Sequence, residues 1–286
     1  MGLTDAGNSA QSEEWLALCR RAAKGAEAAI ARYPRLEDRS QKTGRGEGGD
    51  MALIIDRAAE DAIFAELEAL GEPLTAISEE RGRVAIHGGG TTQVVIDPID
   101  GSLNAKRGMP LYCLSIAIAD GLTMRDVKYG FVRDFGTGEE WWASRGEGAF
   151  LDGRPVRPLQ EMGNRVEVLG IESGDPRRIA RHANALAATT AHRLRLIGSI
   201  ALGLCWVAGG RFDALLSLRS IRSVDAAAGQ LIVREAGGDV VFPDAQGGDL
   251  SAPLDLDMRS TVVAARAHPL ATELARDVLG AYQDRA

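Results

Sequence analysis

The sequence has few cysteines, few aromatic residues and no long apolar run. Its three cysteines, Cys19, Cys113 and Cys205, are odd in number and far apart, so neither a disulfide framework nor a zinc site has support. The most continuous apolar stretch, SIALGLCWVAGG, is too short to cross a bilayer, and the N-terminal segment has no secretory signal pattern. We therefore expect a reduced, cytoplasmic protein that does not bind membranes.

Basic residues are also outnumbered. The formal net charge is -7 at pH 7, and no basic run is longer than PRR, which argues against nucleic-acid binding. The four histidines show no ligand spacing, so any bound metal should be a hard cation held by oxygen atoms. Aromatic residues make up only 5% of the chain, which gives little sign of a stacking surface for a nucleotide base.

The hydrophobic patterns predict a layered α/β protein. A helix should start at Ser12 and stop before Pro34, and a second should run from about Ala52 to Leu70. The polar, glycine-rich segment between them is either disordered or a functional loop. Strands dominate the rest of residues 1–160, whereas strands and helices alternate in residues 161–286. We expect one compact unit of two such halves, with two sheets and helices outside and between them.

Two carboxylates lie at the end of one predicted strand. The stretch VVIDPIDGSLNAKRG places Asp97 and Asp100 three residues apart behind an apolar run, and the proline after Asp97 predicts that the strand ends there. Paired carboxylates repel unless a positive charge lies between them. The carbonyl of Ile99 could face the same point, and the backbone N–H groups of Gly101 and Ser102 suit a phosphate.

Two further acidic positions fit the same geometry. Glu79, in AISEERG, ends another apolar strand, and Asp225, in IRSVDAAAGQLIVREAGG, lies at a predicted helix N-terminus. Each has a simpler explanation taken alone. Asp225 could be a helix cap, Glu79 or Glu80 a solvated turn residue, and DPIDGS an ordinary polar turn. Their joint occurrence favours a shared site.

The motifs SEE, DPIDGSLN and VDAAAGQLIVREAGG together resemble the inositol monophosphatase family, relatives of fructose-1,6-bisphosphatase and of bisphosphate nucleotidases. The similarity spans nearly the whole chain. The dehalogenase-type motif DxDGT is the nearest alternative, but it has one residue between its aspartates and this chain has two. The resemblance implies an αβαβα sandwich, phosphomonoesterase activity on a small phosphorylated substrate, and a homodimer.

The resemblance also implies a set of metal ligands. Glu79, Asp97 and the carbonyl of Ile99 would hold one Mg²⁺, and Asp97, Asp100 and Asp225 a second; a third, looser ion near Glu79 is common in the family. Oxygen-only ligation suits Mg²⁺, with Mn²⁺ as a substitute.

Catalytic roles follow from the same resemblance. Glu79 would help to activate the attacking water together with the hydroxyl of Ser102, which Asp56 would orient. The N–H groups near Gly101 and Ser102 would bind the phosphate, and the glycine-rich loop before residue 50 would form a lid. This chain lacks the threonine that relatives carry upstream of Asp56, which bears on the lid and the third ion.

Substrate contacts are predicted for Asp100, Arg195, Ile200 and Arg219. Members that prefer inositol phosphate carry a glutamate seven residues before the last metal aspartate, where this chain has Leu218. The pattern resembles the archaeal-type branch that hydrolyses both fructose 1,6-bisphosphate and inositol monophosphate. The alternatives are an adenosine 3',5'-bisphosphate or NADP phosphatase of the same superfamily, and a catalytically idle metal- or phosphate-binding regulatory protein.

Overall fold

A computed structural model describes residues 5–49, 51–157, 166–189, 191, 193–245 and 249–281. The helices are α1 (Asp5–Ala31), α2 (Leu36–Arg39), α3 (Ile54–Leu70), α4 (Ser102–Arg107), α5 (Pro176–Arg181), α6 (Ala183–Ala188), α7 (Ile200–Ala208), α8 (Ser223–Glu235) and α9 (Leu270–Leu279). The strands are β1 (Lys42–Arg45), β2 (Met51–Leu53), β3 (Leu74–Ser78), β4 (Gly82–Ile86), β5 (Gln93–Asp100), β6 (Cys113–Ala119), β7 (Val127–Asp134), β8 (Glu140–Ser144), β9 (Gly148–Leu151), β10 (Arg154–Pro155), β11 (Val168–Glu172), β12 (Arg193–Arg195), β13 (Ala214–Ser217), β14 (Asp239–Val241) and β15 (Val263–Ala265).

The larger sheet has eight strands in the order β10-β9-β8-β7-β6-β5-β3-β4. All its neighbours are antiparallel except β3 and β5, which run parallel. Helices α1 and α3 pack against each other and cover one face, where residues such as Ile63, Leu67 and Ile116 are fully buried. Burial of such large apolar side chains is the main stabilising contribution in this layer.

The second sheet has five strands in the order β12-β11-β13-β15-β14. Strand β11 runs parallel to both β12 and β13, whereas β15 is antiparallel to its neighbours. Helices α7 and α8 lie between the two sheets, and their apolar residues join one continuous core. Helix α9 covers the outer face of the second sheet. The predicted αβαβα layering is therefore confirmed.

The first helix is longer than predicted. It starts at Asp5 rather than at Ser12, because Ser12 bonds to other parts of the fold instead of capping. The Ser12 hydroxyl lies 2.8 Å from Ser144 Oγ and 2.8 Å from Glu147 Oε2. A serine inside a helix is acceptable when a tertiary partner takes its hydroxyl.

The glycine-rich segment after α1 is partly ordered, not one irregular loop. It contains the short helix α2 and the antiparallel strand pair β1–β2. The predicted lid is the loop before residue 50, and residue 50 itself lies outside the described residues. The second helix begins at Ile54, two residues later than predicted. In the second half, residues 176–188 form two short helices, α5 and α6.

Strand β5 does not end at Asp97 as predicted. It continues to Asp100, with Asp97 opposite Ser115 and Asp100 opposite Cys113. The β5 side therefore has one more residue than β6 over this stretch, which is a β-bulge. A bulge accommodates the proline after Asp97, because proline has no N–H to donate to the ladder. In the described part of the chain, no helix combines the length and apolarity needed to span a membrane.

Candidate active site

The parallel pairing of β3 and β5 brings the first two acidic positions together. In this register Ser78 lies opposite Ile96, so the next residues along the two chains, Glu79 and Asp97, lie side by side. The N–H of Glu79 donates to the carbonyl of Ile96 at 3.3 Å. Residues at the carboxyl ends of parallel strands share one edge, where ligands commonly bind.

Two helix N-termini add carboxylates from either side. Asp56 lies in the first turn of α3 and accepts the N–H of Leu53 at 2.9 Å. Asp225 lies in the first turn of α8 and accepts the N–H of Arg222 at 3.0 Å. Helix N-termini favour negative charge, so the local fold supports both carboxylates.

Asp100 is held by a third helix N-terminus. Its Oδ2 accepts from the hydroxyl of Ser199 at 2.7 Å and from the N–H of Ala201 at 2.6 Å, at the start of α7. Asp97 Oδ1 accepts the N–H of Ile99 at 3.0 Å, inside the bulge. These hydrogen bonds fix both side chains. They use Asp97 Oδ1 and Asp100 Oδ2 and do not involve the second oxygen of either carboxylate.

These groups line one cavity of about 320 Å³ between the two sheets. Most of the predicted site residues lie on its wall. The lining residues are Met51, Asp56, Glu79, Glu80, Asp97, Ile99, Asp100, Gly101, Ser102, Leu103, Glu172, Gly174, Gly198, Arg219, Arg222 and Asp225.

Two predicted substrate contacts lie elsewhere. Ile200 is fully buried in the core between the sheets, where its side chain packs against apolar neighbours. Arg195 is exposed on the edge strand β12, and its Nη1 donates to the carbonyl of Leu194 at 2.9 Å. Neither residue lines the cavity in this structure, so contact of Arg195 or Ile200 with a substrate stays a prediction.

The predicted contact between Asp56 and Ser102 is not made in this structure. Asp56 Oδ2 accepts from the N–H of Leu53, and Asp56 Oδ1 is buried without a hydrogen-bond partner. Both residues nevertheless line the same cavity. An unpaired buried carboxylate oxygen is unfavourable, so this atom is available to a cation or a water.

The carboxylates perturb one another strongly. Burial raises the pKa of Asp97 well above its usual range, and the neighbouring Glu79, Asp100 and Asp225 raise it further. Burial raises the pKa of Asp100 to about 7, with Asp225 as the next contribution. Burial and then Glu79 likewise raise the pKa of Glu80 to about 7. The cavity therefore holds more negative charge than its protein surroundings compensate.

One guanidinium lies among these carboxylates. Arg222 Nη2 is 2.7 Å from Glu79 Oε1 and 3.4 Å from Asp225 Oδ1. Among the described residues, no group of three or more His, Cys, Asp or Glu side chains is arranged to hold a metal ion. The carboxylates thus share a cavity, yet two of them are directed at Arg222.

Two charged residues on the cavity wall, Arg222 and Glu172, were not predicted from the sequence. Glu172 is buried at the end of β11, and its Oε1 accepts the N–H of Gly198 at 2.9 Å; burial raises its pKa. Its position at the carboxyl end of an apolar strand, like that of Glu79, was an available signal. Arg222, three residues before Asp225, carried no comparable signal.

Comparison with known proteins identifies one family. A family model described as the inositol monophosphatase family matches residues 11–280. A fructose-1,6-bisphosphatase/inositol-1-monophosphatase from Methanothermobacter thermautotrophicus is 36% identical over 263 residues, covering 88% of this chain and 91% of that protein. A protein of the same name from Archaeoglobus fulgidus is 34% identical, covering 86% of this chain and 92% of its own length.

A solved structure has the same fold. The crystal structure of a gene product described as an inositol monophosphatase-fructose 1,6 bisphosphatase superposes with a TM-score of 0.77 at 27% identity, covering 92% of this chain and 99% of that one. The predicted resemblance, layered fold and phosphatase class are confirmed by these matches. The family is one of metal-dependent phosphatases. The chain belongs to the inositol monophosphatase family.

Proposed function

We propose that this chain is a Mg²⁺-dependent phosphomonoesterase that hydrolyses small sugar and polyol phosphates, with inositol monophosphate and fructose 1,6-bisphosphate as its substrates. The observation that carries the proposal is the convergence of Glu79, Asp97, Asp100 and Asp225 on one cavity. The names of the two archaeal relatives pair the same two activities.

The donor set fits a hard divalent cation. The cavity offers carboxylate and carbonyl oxygens, which are the ligands that Mg²⁺ prefers. The raised pKa values of Asp97 and Asp100 indicate a shortage of positive charge, and Asp56 Oδ1 has no protein partner. These observations support divalent ions at this site.

The assignment of ligands to each ion comes from the resemblance to the family. Glu79, Asp97 and the carbonyl of Ile99 would hold one ion, and Asp97, Asp100 and Asp225 a second. A third ion would lie near Glu79, and Mn²⁺ could replace Mg²⁺. Bound ions of this kind lower the pKa of the attacking water and stabilise the leaving oxygen.

The protein groups would then bind and orient the substrate. Gly101 has a positive φ of 93°, and a Cβ there would lie 2.8 Å from the carbonyl oxygen of Leu111. Only glycine fits this turn well. Gly101 and Ser102 both line the cavity, and their N–H groups would bind the phosphate. The Ser102 hydroxyl and Glu79 would hold the attacking water in position.

The cavity wall favours a sugar over a nucleotide. Among its described lining residues there is no aromatic ring on which a base could stack. Arg219 and Glu172 lie on the same wall. A guanidinium there suits a second phosphate, and carboxylate and amide groups suit polyol hydroxyls. This wall therefore supports sugar phosphates over adenosine 3',5'-bisphosphate or NADP.

A phosphate-release assay with Mg²⁺ tests the proposal. Fructose 1,6-bisphosphate and inositol 1-phosphate should be hydrolysed at least tenfold faster than adenosine 3',5'-bisphosphate. Asp97→Asn should abolish release from every substrate, and Asp277→Asn, an equivalent change at an exposed residue of α9, should not. Full activity in Asp97→Asn would refute the mechanism, and no activity on any substrate would favour the regulatory alternative.

The proposal includes a cytoplasmic homodimer. Its support is the resemblance to the family alone. Size-exclusion chromatography with light scattering should give about twice the chain mass of 30.4 kDa, and a monomer mass at assay concentrations would contradict it.

A further inference from the structure

Arg222 makes contacts from both its backbone and its side chain. Its backbone N–H donates to Asp225 Oδ2 at 3.0 Å, while its guanidinium lies 2.7 Å from Glu79 and 3.4 Å from Asp225. The side chains of Arg222 and Glu79 are each only 14% exposed. A guanidinium between two poorly solvated carboxylates is a strong electrostatic contact.

The turn between β1 and β2 packs onto the same place. The N–H of Gly48 donates to the carbonyl of Glu79 at 2.8 Å. A Cβ on Gly48 would lie 2.8 Å from Arg222 Nη1 and 3.2 Å from Glu79 Cγ. The turn therefore encloses the Arg222–Glu79 contact and keeps the guanidinium close to the carboxylate.

We infer that Arg222 is an internal cation that competes with divalent metal ions for Glu79 and Asp225. This competition sets the metal concentration at which the site becomes occupied. The inference rests on the proposed function, because it assigns these two carboxylates to the metal. Arginine does not lose its proton in proteins. A metal ion that takes either Glu79 or Asp225 as a ligand must therefore displace the guanidinium from that carboxylate or share its oxygens with it.

A purely structural role makes a different prediction. The cap of α8 uses the backbone N–H of Arg222, which any residue other than proline supplies. Removing the guanidinium leaves this hydrogen bond in place and removes only the competing charge. If Arg222 served the helix alone, Arg222→Gln would leave metal affinity unchanged.

Calorimetric titration of the substrate-free protein with Mg²⁺ separates the two roles. Arg222→Gln should bind Mg²⁺ about tenfold more tightly than the wild type, equivalent to about 1.4 kcal/mol. Arg219→Gln is the matched control, because it removes the same charge from the same cavity wall. It should tighten binding by less than about threefold, the change expected when only distant repulsion is relieved.

The outcomes are distinguishable. Unchanged or weaker Mg²⁺ binding in a folded Arg222→Gln overturns the inference, as does equal tightening in both variants. Absence of Mg²⁺ binding in the wild type refutes the proposed function instead. Should Arg222→Gln fail to fold, NMR of the Arg222 Nε–H group in the wild type decides, with assignment from Arg222→Lys. A signal that shifts along the Mg²⁺ binding curve supports displacement, and a signal that does not move refutes it.

Discussion

Replacing Asp100 by asparagine should stabilise the protein in EDTA at pH 8 while abolishing phosphate release. Burial and the neighbouring Asp225 raise the pKa of Asp100 to about 7, although the hydrogen bonds from Ser199 and Ala201 lower it. Asparagine has nearly the same shape, and its side-chain carbonyl oxygen can take the place of Asp100 Oδ2 and accept from both the Ala201 N–H and the Ser199 hydroxyl. The substitution therefore removes a charge from the cavity and leaves the packing in place.

The magnitude follows from the pKa. An ordinary aspartate has a pKa of about 3.9, and Asp100 has one of about 7. At about 1.4 kcal/mol for each pKa unit, ionised Asp100 lowers the free energy of unfolding by roughly 4 kcal/mol. For a chain of this size, each kcal/mol changes Tm by roughly 2 °C. The expected rise in Tm is on the order of 10 °C.

The direction of the pKa shift also fixes how the difference in Tm depends on pH. Because the folded pKa of Asp100 is raised, the folded state binds more protons than the unfolded state between about pH 4 and pH 7. Wild-type stability in EDTA should therefore decline across this window relative to Asp100→Asn. The difference in Tm should be near zero at pH 4 and full at pH 8.

Differential scanning calorimetry in EDTA at several pH values measures this difference. Excess Mg²⁺ should reverse it, because the wild type would gain stability from bound ions and the variant would lose a ligand. A variant that melts below the wild type in EDTA, with no dependence on pH, would show that Asp100 is not destabilised by its charge.

Three further predictions concern the supports of the site. Gly101→Ala should lower kcat at least tenfold, because a Cβ at φ 93° would approach the carbonyl oxygens of Leu111 and Gly198 at 2.8 and 3.3 Å; an unchanged kcat would exclude a role for this turn. Glu60→Gln should raise the Mg²⁺ concentration for half-maximal activity several-fold, since the Glu60 carboxylate accepts from the hydroxyl of Ser78, the first residue of the SEE motif, and from the N–H of Arg81 directly after it; identical Mg²⁺ curves would contradict this support. Leu67→Ala, in the fully buried contact of α1 with α3, should lower the free energy of unfolding by about 2–5 kcal/mol in urea and leave kcat unchanged, and a large loss of kcat would show that this layer affects the site.

The sequence predicted the layered fold and most of the cavity wall because both depend on local patterns. Alternating and helical apolar periods predicted the order of the elements, and short acidic motifs at element ends predicted Glu79, Asp97, Asp100 and Asp225. The wrong predictions concerned where single elements begin or end. Ser12 was predicted to start α1, yet its hydroxyl bonds to Ser144 across the fold, a partner that no local pattern reveals.

Only the tertiary structure decided how the acidic residues are held together. The parallel register of β3 and β5 sets Glu79 beside Asp97, and the start of α7 holds Asp100. These arrangements join residues far apart in the chain, and strand register is fixed by burial of whole faces rather than by neighbours in sequence. The same reason explains Arg222: the charge of this residue is visible in the sequence, but its place between two carboxylates exists only once both sheets and α8 are packed.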